Sequence, residues 1–556
     1  VGAVGSDLRM EYTALGDAVN IASRLESAAE PGTILISQDT QHLIKPSFDL
    51  QEMGELSLKG KAAPLKTYRV IRRSQASNRR MGIAGKQAQL IGRDHELTQL
   101  EDILAQAEAG IGRIVSVISE AGLGTSRLVG DALFEWRKIP DKSTYQINCR
   151  SYESSQAYSL IRHLLHQLMG IEGDEAVDIY LNKLDVLISS LESTQVPTSK
   201  WVLKTLLGLE LEEDAPPLEG EAFKRELYRV TDVLFKSLFS ETPAVLVFED
   251  IHWSDSASIE LLQHLLPLVE KLPLVMTFSF RPDRGAPSWT VKQKADEEFF
   301  HRYTEIRLSA LSHGDSNTLI NSLLADPDIP ERMREQIIDR SGGNPFFIEE
   351  VLRTLIDNRV LIREETKGIV GDAVNWYADA EAVKVQIPDS LQSLLTARID
   401  LLDEDVHQTL QLASVIGRRF QKQVLVAVSD EEQGGSHQIE VHLGKLMRLE
   451  MIDETVRQPE VEYSFRNPMI QETAYKSILK KRRRDIHLRA AESLESLYPE
   501  KLNEMVPLLG HHYAEGNNHL QALKCYIKAG DIAYRLYAND LAISHYRAAF
   551  EQVKMV

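Results

Sequence analysis

Asn20 and Arg24 stand four residues apart in Gly16-Asp17-Ala18-Val19-Asn20-Ile21-Ala22-Ser23-Arg24. On a helix that spacing places both side chains on one face. A carboxamide and a guanidinium aimed at one point suit a reaction that builds negative charge on phosphate oxygens. A second group of residues points to phosphate as well. The apolar run 114–118 leads into Ser119-Glu120-Ala121-Gly122-Leu123-Gly124-Thr125-Ser126-Arg127, and a helical pattern follows to Arg137. Strand, glycine turn and helix form the setting in which backbone N–H groups cradle phosphate. Further on, Ala244-Val245-Leu246-Val247-Phe248 runs into Glu249 and Asp250. Two carboxylates at a strand end suit a Walker B role, in which one holds Mg²⁺ and its neighbour polarises water. The strand pattern 274–280 ends at Arg281, which is placed to sense a γ-phosphate.

These features need a parallel sheet to bring them together, because each falls at the carboxyl end of an expected strand. Against the pattern G-x-x-x-x-G-K-[ST], Gly124 and Ser126 fit, whereas Ser119 stands for the first glycine and Thr125 for the lysine. That lysine supplies the ammonium that neutralises β- and γ-phosphate charge. A threonine offers a hydroxyl and no charge. Backbone amides from Gly122 to Ser126 can still hold phosphate. The expectation is weak or absent ATP hydrolysis, with residual nucleotide binding left open.

Residues 1–72 resemble the second half of a class III nucleotidyl cyclase catalytic domain. The resemblance rests on Tyr12-Thr13-Ala14-Leu15-Gly16-Asp17 with the Asn20/Arg24 pair, on Pro31-Gly32-Thr33-Ile34, on Gly54-Glu55-Leu56-Ser57-Leu58-Lys59-Gly60-Lys61, and on Leu65-Lys66-Thr67-Tyr68-Arg69-Val70. It implies that Asn20 and Arg24 are catalytic. They would orient the ribose and stabilise the pentavalent phosphorus. Thr13, Asp17, Lys59 and Lys61 would contact substrate. Thr13 occupies the position that reads the purine edge, and a hydroxyl there is compatible with the adenine amino group. The implied substrate is ATP, the implied product cyclic AMP, and the implied cofactor Mg²⁺ or Mn²⁺. Class III sites form between two such domains, so a homodimer through them is implied. The family's two metal-binding aspartates have no counterpart in this chain, which opens on Val1 inside the domain. The expectation is an active longer parent and an inactive 556-residue piece.

Residues 88–495 resemble the STAND class of AAA-related ATPases, in the branch fused to cyclase domains or to LuxR-type regulators. Further matches are Ser341-Gly342-Gly343-Asn344-Pro345-Phe346 and Ile387-Pro388-Asp389-Ser390-Leu391. The resemblance implies that Pro345 packs near the adenine. The expected fold is multidomain α/β and α. A partial, ferredoxin-like α+β cyclase piece (1–72) is followed by a linker (73–88) and a P-loop NTPase domain with a parallel sheet (89–310). A helical lid (311–400), a winged-helix-like region (401–497) and the start of tetratricopeptide-like repeats (498–556) complete the chain. From about 310 onward helical periodicity dominates: Leu391, Leu394, Leu395, Ile399 and Leu402 recur at helix spacing. The echo of Gln521-Ala522-Leu523-Lys524-Cys525-Tyr526 in Leu541-Ala542-Ile543-Ser544-His545-Tyr546 suits a repeat array that binds a protein partner.

Composition narrows the alternatives. A net charge of −19 argues against broad nucleic-acid affinity. The basic run Lys480-Lys481-Arg482-Arg483-Arg484 reads as a solvated helix face. No apolar run reaches the ~20 residues of a membrane span. Cys149 and Cys525 show no metal spacing and suit a reducing, cytoplasmic setting. The leading expectation is an adenylate cyclase regulated by a STAND-type module. The alternatives are a catalytically inactive signalling scaffold and a relative of LuxR-type transcription regulators.

Overall fold

The computed structural model divides into two units, Val1–Ala88 and Gln89–Val556. It describes residues 2–6, 9–13, 17–30, 32–38, 40–41, 48–56, 65–73, 90–139, 142–149, 153–171, 177–189, 191, 196–209, 211, 219–324, 329–366, 373–378, 388, 390–429, 435–456 and 460–556.

In the first unit β1 (Gly2–Ser6) and β2 (Arg9–Thr13) pair antiparallel, with Gly2 opposite Thr13. The helix Asp17–Ala28 follows, then β3 (Ile34–Ser37), β4 (Phe48–Leu56) and β5 (Leu65–Arg73). The last three form one antiparallel sheet in the order β3-β5-β4. Leu25 from the helix and Ile36 from β3 are buried. Thr67 in β5 is also buried and donates its hydroxyl to the Gly54 carbonyl across a bulge in β4. The strands expected near 34 and 65–70 are present.

The second unit is built on five parallel strands: β6 (Arg113–Ile118), β7 (Ser143–Asn148), β8 (Ala244–Glu249), β9 (Leu274–Phe280) and β10 (Tyr303–Arg307). Their order is β10-β6-β9-β8-β7. Every residue of β8 and β9 is buried, as parallel strands covered on both faces require. Alternation along β6 shows the two layers. Val115 and Val117 pack with Leu128 and Leu133 of the helix Thr125–Trp136. Ile114 and Ile118 join Phe248, Phe278 and the helix Gly220–Phe239 on the other face. The rings of Phe248 and Phe278 stack at 5.5 Å.

Beyond β10 the described residues are mainly helical, yet five further strands interrupt them. β11 (Leu361–Thr366) and β12 (Ala373–Ala378) form a hairpin. β13 (Arg419–Gln421), β14 (Ile452–Val456) and β15 (Glu462–Phe465) form an antiparallel sheet in the order β13-β15-β14. Helical periodicity alone gave no sign of the β11–β12 hairpin. The three-stranded sheet closes against the helices Glu404–Ile416, Gly435–Arg448 and Pro468–Ser477. The last three helices are Leu502–Glu515, His519–Arg535 and Asn539–Val553. The small residues of the repeat pattern do the packing there: a Cβ on Gly530 would meet the Tyr546 ring at 2.5 Å. No described helix is long and apolar enough to cross a membrane.

Candidate functional site

In the first unit the helix Asp17–Ala28 carries Asn20 and Arg24 four residues apart, about one turn. Thr13 ends β2, and Asp17 opens the helix. The side chains of Thr13, Asp17 and Asn20, and all of Lys59 and Lys61, lie outside the described residues. Arg24 is half-buried beside the buried Leu25.

The second unit assembles its site at the carboxyl ends of β6, β8 and β9, which are neighbours in the sheet. β6 runs into the loop 119–124. Gly122 (φ 85°) and Gly124 (φ 96°) are both left-handed there, and Gly124 is the N-cap of the helix Thr125–Trp136. Gly124 has no side chain with which to cap that helix, so the N-cap residue leaves the first-turn N–H groups to the loop. The two departures from the phosphate-loop pattern meet each other: the Ser119 and Thr125 hydroxyls lie 2.5 Å apart. Ser126 donates its hydroxyl to Glu249 Oε2 at 2.9 Å. Glu249 is buried, and its other oxygen accepts from Gln146 Nε2 at 2.8 Å. Arg137 in turn donates to Gln146 Oε1 at 2.7 Å.

Asp250 follows in a left-handed conformation (φ 56°), with its N–H donated to Ser279 Oγ at 3.1 Å. Asparagine and aspartate tolerate this region better than most residues, and such backbone settings concentrate at functional sites. Arg418, at the entry to β13, brings its guanidinium to 3.7 Å from the Asp250 carboxylate. Beside them both ring nitrogens of His252 are buried without a hydrogen-bond partner. Burial pushes the His252 imidazole down to about 4. Asp250 opposes this, while the nearby Arg281 and Arg418 add to it.

The segment 343–345 closes over the loop. Asn344 caps the helix Pro345–Asp357 by accepting from the N–H groups of Phe346 and Phe347. Its amide donates to the Ala121 carbonyl at 3.0 Å. A Cβ on Gly122 would meet Asn344 Oδ1 at 2.8 Å, so the loop and this cap approach as closely as a glycine allows. Pro345 holds the first helical position, which its missing N–H suits.

The residues present fit a nucleoside triphosphate with Mg²⁺. The uncapped helix start and glycine loop offer N–H donors for phosphate, and the Ser126 hydroxyl with the Glu249 carboxylate offers hard oxygen donors. The structure brings Gly122, Gly124, Thr125, Ser126, Glu249, Asp250 and Arg281 to one end of the sheet, with Pro345 on the segment that closes over it. Sequence reasoning missed Gln146, Ser279, Asn344 and Arg418 as neighbours of the site. Asn344 stood inside a noted motif. The other three carried no local signal, because their contacts cross more than 25 positions of chain.

Comparison with known proteins agrees with this division. Residues 1–72 match the adenylate and guanylate cyclase catalytic domain, and residues 89–277 match the AAA ATPase domain. Residues 312–367 match a domain of unknown function. An uncharacterised protein of Rhizobium meliloti is 25% identical over 489 residues, covering 85% of this chain and 44% of its own length. An adenylate cyclase of Mycobacterium bovis is 39% identical over 77 residues, covering 14% of this chain and 17% of its own. The chain therefore spans less than half the length of either relative. A STAND protein with a tetratricopeptide repeat sensor from Pyrococcus horikoshii has a solved structure. It aligns over 84% of this chain and 58% of its own at 14% identity and a TM-score of 0.41. The chain is a fusion of an adenylate/guanylate cyclase catalytic segment with an AAA-type ATPase domain.

Proposed function

We propose that this chain belongs to an adenylate cyclase that converts ATP to cyclic AMP and pyrophosphate, with its output set by a STAND-type nucleotide switch. One observation carries the cyclase reading. Asn20 and Arg24 stand four residues apart in the helix Asp17–Ala28, which follows the β1–β2 pair along the chain, inside the segment that matches the catalytic domain. There the amide would orient the ribose, and the guanidinium would offset charge building on phosphorus. Thr13 favours adenine. Lys59 and Lys61 would meet the triphosphate, with Mg²⁺ or Mn²⁺ as cofactor and a homodimer completing the site.

In the second unit, the Ser126–Glu249 contact supports a retained nucleotide site. When bound, Mg²⁺ would supply charge neutralisation between that pair and the phosphates. Gly122, Gly124 and Ser126 would hold phosphate, Arg281 would sense its terminal group, and Pro345 would lie near the base. Glu249 would take the metal and Asp250 the water. The pairing of Ser119 with Thr125 leaves the loop without a cation, so slow hydrolysis follows. Nucleotide occupancy would shift the arrangement of the cyclase domains, and the last helices would receive a partner protein in a cytoplasmic setting. The test is product analysis of the full-length protein with ATP and GTP supplied separately. Cyclic AMP formation favoured at least tenfold over cyclic GMP is expected. Equal use of both nucleotides, or no product with a verified partner state, contradicts the reading.

A further inference from the structure

The nucleotide reading leaves one charge unaccounted for. A triphosphate needs a cation where the phosphate-loop lysine would stand, and Thr125 there is neutral and tied to Ser119. Arg127 pairs with Asp131 at 3.9 Å, and Arg137 reaches Gln146 behind Glu249. Neither is turned to the mouth of the loop by those contacts. Arg418 comes from elsewhere in the chain. Its carbonyl accepts from Phe465 N–H at 2.8 Å, which fixes the backbone at the start of β13. Gly417 just before it ends the helix Glu404–Ile416 with φ 153° and ψ −178°. This turn sends Arg418 toward the carboxyl end of β8.

Resting on that nucleotide reading, we infer that Arg418 supplies the phosphate-neutralising cation that the loop lacks, and that in the ligand-free chain Asp250 holds it in waiting. Arg418 and Asp250 are 27% and 42% exposed, so theirs is a solvated ion pair of small net value. A phosphate can take a guanidinium with two parallel charge-assisted hydrogen bonds. Binding would therefore exchange the Asp250 pair for a phosphate pair and free that carboxylate to face water. Because Arg418 directly precedes β13 and its carbonyl is bonded to Phe465 of β15, the same exchange would pull that sheet onto the nucleotide. The ligand class is a nucleoside triphosphate, and the terminal phosphate distinguishes it from the diphosphate.

Hydrogen exchange tests this at the site itself, so nucleotide bound in the cyclase segment does not interfere. The readout is ATP-dependent protection of the peptide spanning 119–128, titrated with MgATP on the full-length protein. The wild type should show protection with a definite midpoint. Arg418→Gln should raise that midpoint at least tenfold. Ser119→Gly/Thr125→Lys placed on Arg418→Gln should bring it back to within threefold of the wild type, because the cation has been returned to the loop. Such rescue also shows that the weakened variant is folded. An unchanged midpoint in Arg418→Gln, or a raised one that the loop lysine fails to restore, overturns the assignment of Arg418. A wild-type loop that ATP never protects overturns the nucleotide reading, and the inference with it.

Discussion

At the residue scale the decisive features are substitutions that fit one another. Ser119 and Thr125 are separate departures in sequence, yet their hydroxyls bond across the loop. Restoring lysine alone would leave Ser119 to crowd it, so both positions should change together. Ser119→Gly/Thr125→Lys is expected to raise ATP turnover at least tenfold over the wild type, as measured by phosphate release. Turnover equal to the wild type would mean that the loop is not what limits hydrolysis. Ser126→Ala removes the hydroxyl that meets Glu249. It should weaken Mg²⁺-dependent nucleotide binding roughly tenfold, about 1.4 kcal/mol, while leaving metal-free binding nearly unchanged. Most of these residues were legible because short motifs place them. Arg418 and Gln146 were not, since the fold alone brings them to the site.

At the element scale the strands β6, β8 and β9 were readable as continuous apolar runs, because burial on both faces removes polar alternation. The hairpin β11–β12 was not, because its polar residues show neither a helical nor a half-buried strand period. A buried charge cluster joins the elements on either side of it. Glu350 on the helix Pro345–Asp357 pairs with Arg398 on the helix Leu391–Asp400, and both are almost wholly buried. Arg353 and Arg466 both pair with Glu450. Such a network stabilises little as a whole, but breaking it leaves a buried charge without its partner. Glu350→Ala should cost about 3–5 kcal/mol in urea unfolding. A loss below about 1 kcal/mol would show that water reaches Arg398 freely.

At the scale of the whole molecule, buried histidines tie stability to pH. His487 and His512 face each other across the helices Lys480–Leu497 and Leu502–Glu515, with Nδ1 atoms 2.8 Å apart, and the Tyr475 hydroxyl lies 3.0 Å from His487 Nε2. Burial, then His511 and Arg483, pushes His487 down to about 3. Above pH 6.5 both folded and unfolded states hold it neutral. Below 6.5 the unfolded state takes up a proton that the folded state refuses, so stability falls toward pH 3 by about 1.4 kcal/mol per unit. His487→Gln should flatten this acid slope in the hydrogen exchange of the helix Lys480–Leu497. An identical slope would place the titration elsewhere. At the same scale the motif sets on either side of 73–88 belong to different chemistries, and the structure parts into two units at Ala88.

The central claim is that Asn20 belongs to a phosphate-cyclising site. Its most direct measurement is cyclic AMP production by the full-length protein and by Asn20→Ala, with ATP and Mn²⁺ or Mg²⁺ supplied. Removing an amide that acts only in the transition state should lower kcat at least a hundredfold with little change in KM. Equal product from both proteins would contradict the account.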